Sequence, residues 1–130
     1  MAIRVFLSFA QEDIQKIKRL IPALTNPGYE LDFYDDPPGP DAGDRKCVDS
    51  GRAIGEKIVK SNLTVCLIGE NTHKSSLVDH ELQKSRQKGN KIIAMALKGT
   101  EYATLPVVVR EENLTFYPWN PHKLAELIIK

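Results

Sequence analysis

Leu63-Thr64-Val65-Cys66-Leu67-Ile68-Gly69, followed by Ser75-Ser76-Leu77-Val78-Asp79-His80-Glu81-Leu82, is the stretch that decides the fold. Its first part is a short apolar run, rich in β-branched residues, that stops at a glycine. Such a run reads as a strand buried on both faces, as strands of a parallel sheet are. Its second part opens a helix. Ser75 or Ser76 can cap it, Asp79 suits the positive end of its dipole, and Gly89-Asn90 stops it after about Lys88. Val78, Leu82 and Ser85 mark the inward stripe, and Glu81, three residues after Val78, shares it. A carboxylate on that stripe either borders it and bends into water or faces the sheet near the carboxyl ends of the strands, where ligands of parallel α/β sheets bind.

Outward from this unit the strands and helices alternate. Residues 3 to 8 form a first strand, and Ser8-Phe9-Ala10 turn into a helix carried by Ile14, Ile17, Ile21 and Leu24, with Pro22 kinking it or making its end irregular. Tyr29 to Tyr34 alternate as a second strand. Asp35 to Asp44, with Pro37, Pro38, Gly39 and Pro40 in a row, must be a loop, and one this long is functional, mobile or simply a surface excursion. Val48, Gly51, Ile54 and Ile58 keep helical spacing, and Ile92 to Leu97 form a fourth strand. Leu105 to Val109 are strand-like but open with a proline and break at Arg110, so Leu114 to Tyr117 are preferred as the fifth strand. Asn120 caps a last helix that begins at Pro121 and buries Leu124, Leu127 and Ile128. The order predicts an α/β fold, a three-layer sandwich with a five-stranded parallel sheet and helices on both sides. The whole of residues 1–130 reads as one domain.

Composition narrows the partners. Eighteen Lys+Arg against seventeen Asp+Glu give a formal charge of +1, so no overall field recruits nucleic acid or an anionic membrane. Cys47 and Cys66 have no partner at ligand or redox spacing and read as free thiols of a reducing compartment. No signal peptide precedes the first strand and no apolar run approaches membrane-spanning length, which leads to the expectation of a cytoplasmic protein.

Several chemistries lack their residues. The first strand ends in Ser8-Phe9 and the third in Gly69, so the acidic pair and acceptor Asp of a phosphoryl-accepting receiver are missing. There is no G-x-x-x-x-G-K-[ST] loop, no G-x-G-x-x-G turn and no G-x-S-x-G elbow. His73, His80 and His122 are scattered and read as surface residues; no metal is expected.

Four segments, in order, resemble a known family. Val5-Phe6-Leu7-Ser8-Phe9 with Asp13 is similar to the opening box of TIR domains, and Leu31-Asp32-Phe33-Tyr34-Asp35 resembles their second strand and its closing acid. Ser75 to Glu81 resembles the segment bearing the catalytic glutamate of TIR enzymes, and Leu114-Thr115-Phe116 before Trp119 resembles the last strand. The spacing is most similar to the short bacterial and archaeal TIR-like family that includes the TIR subunit of Thoeris anti-phage systems. Leu77 stands where many members have a tryptophan.

The resemblance implies a flavodoxin-like, TIR-like fold and cleavage of the nicotinamide–ribose bond of NAD, which is then a substrate, with no separate cofactor. It implies Glu81 as the catalytic residue, with Ser8, Phe9, Asp35, Ser75 and Leu77 lining the substrate site. Phe9 would stack on a flat ring, Asp35 would hold the loop or a ribose, and amides near Ser75 would meet a phosphate. For Phe9 and Asp35, core edge and turn former are the structural alternatives. The product, a linear, cyclic or conjugated ADP-ribose, would reach a separate effector by diffusion in anti-phage defence, and self-association with other TIR domains is also implied. The rival reading is a non-catalytic TIR interaction module. A nucleoside deoxyribosyltransferase-like enzyme, which also uses a glutamate at a glycosidic bond, is the third.

Overall fold

The structure, a computed structural model, describes residues 3–33 and 57–129. Five strands, β1 (Ile3–Ser8), β2 (Tyr29–Asp32), β3 (Leu63–Ile68), β4 (Lys91–Ala96) and β5 (Phe116–Tyr117), form one sheet in the order β2-β1-β3-β4-β5. Every neighbouring pair is parallel. This is the flavodoxin-like order, and its direction reverses between β1 and β3, which puts the ligand crevice of such a sheet at the carboxyl ends of those two strands.

The helices are α1 (Ile14–Leu24), α2 (57–60), α3 (Ser76–Lys88), α4 (Val107–Glu111) and α5 (Pro121–Ile129). Period-two alternation divides the core between the two faces of the sheet. Val5, Leu7, Val65, Leu67, Ile93 and Met95 pack with Ile17, Leu24, Leu124 and Ile128 of α1 and α5. Cys66, Ile68, Ile92 and Ala94 pack with Val78 and Leu82 of α3 and with Val108 and Val109 of α4. Phe6 joins Ile58 of α2 and Leu77 on that second face. The expected three-layer sandwich is therefore present.

Local signals explain the boundaries. Ser75 Oγ accepts from the Val78 amide at 3.2 Å to cap α3, and Gly89, at φ 85°, takes the left-handed turn that ends it. Pro22 lies on the exposed side within three residues of the end of α1, and the helix runs through it to Leu24. Asn120 Oδ1 accepts from the Lys123 amide at 3.0 Å and caps α5. Lys88, at the far end of α3, donates to the carbonyls of Ile58, Val59 and Ser61, so one ammonium ties α3 to the end of α2 and the entry into β3.

Three expectations change, one of them the fifth strand, which is Phe116–Tyr117 rather than Leu114 to Tyr117. Val107–Glu111, read as strand-like and broken at Arg110, is a short helix that starts after Pro106 and buries Val108 and Val109. Packing against α3 outweighs the β preference of three valines. β2 stops at Asp32, short of the expected Tyr34. Tyr34, the Asp35 to Asp44 loop, Cys47 and the part of the predicted second helix before residue 57 lie outside the described residues. Among the described residues no helix is long and apolar enough to cross a membrane.

Candidate active site

Glu81 lies on the sheet-facing stripe of α3 with Val78, Leu82 and Ser85, all buried, and only 3% of it is exposed. Ser8, the last residue of β1, is fully buried beside Cys66 of β3. Its Oγ donates to Glu81 Oε1 at 2.8 Å, across 73 residues of sequence. The backbone at Glu81 is held as well, because Ser85 Oγ donates to the Glu81 carbonyl at 2.9 Å and pairs with Thr64 Oγ1 at 2.7 Å. The carboxyl is thus fixed at the carboxyl end of β1, beside the point where the strand order reverses.

Burial dominates the charge of this group. It pushes the Glu81 carboxyl up from its ordinary value of 4.5 to about 8, against the hydrogen bond from Ser8, which favours the ionised form. Burial raises the Cys66 thiol too, and the neighbouring Glu81 charge raises it further. A carboxyl so poised changes protonation near neutral pH, which structural carboxylates do not ordinarily do.

The loops after β1 and β3 enclose a cleft of about 430 Å³ lined by Ala10, Gln11, Glu12, Asn71, Lys74 and Ser75. Asn71 Nδ2 donates to Glu12 Oε2 at 3.3 Å and bridges the two loops. Glu81 is not part of the lining. A larger hollow of about 620 Å³ runs along the end of α1 and the outer edge of β2, and of the predicted site residues none lines it. The smaller cleft sits at the switch point of the sheet and is the better candidate on topological grounds.

The structure brings Ser8 into direct contact with Glu81 and places Ser75 at the start of the same helix, on the cleft. Leu77 shares the α3 side but packs on Phe6 and Ile58. Phe9 is not brought beside Glu81: it is buried in the cluster with α1 and α5, its ring 5.8 Å from that of Phe33. Asp35 lies outside the described residues.

The motif reading gave Asp13 no role of its own. Its side chain is buried under the end of β3, and Oδ2 has no hydrogen-bond partner. Burial raises its carboxyl above the ordinary carboxylate range, with Lys16 opposing and Glu12 adding to the rise. A Cβ on Gly69 would fall 2.4 Å from Asp13 Oδ2, so the glycine that ends β3 is what admits the acid. Gly69 was the only sequence signal of that close approach. Among the described residues no group of three or more His, Cys, Asp or Glu is placed to hold a metal ion.

A family model described as "Thoeris protein ThsB, TIR-like domain" matches residues 6–102. This chain belongs to that TIR-like family. The matched residues run from within β1 through β4 and include both Ser8 and Glu81. Among solved structures, the chain is similar to the TIR domain of the Toll-related receptor TRR-2 from Hydra magnipapillata, with 19% identity over 95% of this chain and 90% of that one and a TM-score of 0.55. It is also similar to the TIR domains of the activated Roq1 resistosome that recognises the pathogen effector XopQ, with 20% identity over 97% of this chain and 69% of that one and a TM-score of 0.49. No curated protein matches the chain. At such identities the first likeness supports a TIR-type fold for this family member and says nothing of its chemistry.

Proposed function

We propose that this TIR-like chain cleaves the bond between nicotinamide and ribose in NAD, with Glu81 as the catalytic residue, and that the ADP-ribose-derived product signals to a separate effector in anti-phage defence. The observation that carries the reading is the buried Glu81 carboxyl, held by Ser8 at the carboxyl end of β1 in a member of the Thoeris ThsB TIR-like family. A buried position facing the sheet has been given an acid whose burial costs stability, and functional sites are where such costs are retained.

The chemistry asks little beyond that charge. When the glycosidic bond breaks, its electron pair goes to the pyridinium nitrogen and nicotinamide leaves neutral, with no general acid needed. Positive charge moves onto the ribose, which takes oxocarbenium character, and an ionised Glu81 facing it stabilises that charge in a site from which water is excluded. Water or an internal nucleophile then closes the anomeric carbon and releases its proton. A cation beside Glu81 favours its ionised form, so NAD itself draws the carboxyl down from about 8. With 3% of Glu81 exposed, its carboxyl must become more accessible for the ribose to reach it. The cleft beside Ser75 is the adjoining room for the rest of the dinucleotide.

The test is to offer NAD, and separately a deoxynucleoside, to the purified chain and to extracts of phage-infected cells expressing it. Nicotinamide release with a product of ADP-ribose mass supports the reading. Deoxyribosyl transfer points to the third reading, and inertness under both conditions points to the interaction module.

A further inference from the structure

The serine at the end of β1, which the family resemblance implies lines the substrate site, has surroundings that bear on its task. Ser8 is fully buried on the face of β1 turned toward α3, two residues after Phe6 and opposite Cys66 of β3. Leu82 and Val78 fill the same layer. A hydroxyl in such a layer is costly unless it is hydrogen-bonded, and its bond to Glu81 Oε1 is the one its side chain makes among the described residues. The other buried hydroxyls of this face are committed elsewhere: Thr64 and Ser85 pair with each other, and Ser85 holds the Glu81 carbonyl. Glu81 is therefore gripped at two points by two serines from different elements. Among the described residues only the grip of Ser8 acts on the carboxyl, and none of them makes a hydrogen bond to Oε2.

We infer that Ser8 is a positioning residue of the NAD-cleaving site, fixing the Glu81 carboxyl through Oε1 and leaving Oε2 for the substrate, without touching the substrate itself. This rests on the function proposed above. Ser8 is at 0% exposure and spends its proton on Oε1, so it has no surface and no donor left for a ribose. A carboxyl on a flexible side chain loses rate when its orientation is loose, and displacement by about 1 Å can cost a hundredfold.

Among the described residues few groups compete for control of this carboxyl. From β3 the Cys66 thiol faces it; from β1 it is Ser8; α3 contributes Ser85, and the nearby surfaces of α2 and α4 are Ile58, Val108 and Val109. The Ser8 bond favours ionised Glu81, so its removal moves the titration of Glu81 to higher pH.

The experiment uses Ser8→Ala and Ser8→Cys in the full chain. It measures kcat, KM and the pH dependence of kcat/KM for nicotinamide release from NAD, together with the Glu81 carboxyl titration followed by carbon NMR without NAD. Ser8→Ala is expected to lower kcat roughly tenfold to a hundredfold, to leave KM within about twofold and to move both the acid limb and the NMR titration to higher pH. Ser8→Cys, with a weak donor of similar shape, falls between, and it carries the test if the alanine variant does not fold. An unmoved Glu81 titration overturns the inference. So does a rise in KM with kcat intact, the mark of direct substrate contact. If the wild type releases no nicotinamide, the NAD reading fails on its own, and the NMR titration alone decides whether Ser8 holds Glu81.

Discussion

Glu81→Gln should remove a pH-dependent weakness from the fold. The Glu81 carboxyl titrates near 4.5 when exposed in the unfolded chain and at about 8 in the folded one, because burial penalises its charge. Below 4.5 both states hold the proton and the group contributes no penalty. Between the two values the folded state binds more protons than the unfolded, so wild-type stability falls as pH rises, and above 8 the loss is complete. At about 1.4 kcal/mol per pH unit, the full loss is on the order of 5 kcal/mol, a large share of the stability of a domain this size. A neutral glutamine keeps the shape and the contact with Ser8 and has no such dependence. Urea unfolding of wild type and variant at pH 5, 7 and 9 reads the effect, since burial alone, the larger cause of its rise, keeps the folded Cys66 thiol protonated over this range in both chains. The two should be close at pH 5, with the variant increasingly the more stable at pH 7 and 9. A difference that stays constant from pH 5 to 9, or a wild type that is the more stable at pH 9, would refute the reasoning.

Two other contacts give independent checks. Gly69→Ala forces a methyl into the Asp13 carboxyl, 2.4 Å from Oδ2, and should destabilise by roughly 1–3 kcal/mol. In the double variant with Asp13→Ala that loss should shrink, and additive losses in urea unfolding would show that the two residues do not meet. Lys88→Met keeps the stem of the side chain but removes the donor shared by the Ile58, Val59 and Ser61 carbonyls, and should cost about 1.5–3 kcal/mol. An unchanged thermal midpoint would show that the ammonium is not holding the end of α2.

Much of the architecture was legible because parallel strands buried on both faces leave short apolar runs bounded by turn residues. β1, β3 and β4 came from such runs, and the stripe of Val78, Leu82 and Ser85 put Glu81 at the inward face while leaving open whether its carboxyl met the sheet or water. The valines at 107–109 misled, because a short apolar run has no period and only packing against α3 decides between strand and helix. Phe9 is a different case. Period-two alternation already sends Ser8 and Phe9 to opposite faces of the sheet, yet a motif read as one string groups them. The burial of Asp13 depends on a neighbour 56 residues away in sequence, and only the bare glycine hinted at it.

The central claim, that the charge of Glu81 does the chemistry, is tested most directly by nicotinamide release from NAD at pH 8.5 by wild type and Glu81→Gln at matched concentration, with the melting curve of each recorded alongside. The account predicts a variant that melts no lower than wild type and turns over on the order of a hundredfold to a thousandfold more slowly. Wild-type turnover by a folded Glu81→Gln would contradict it.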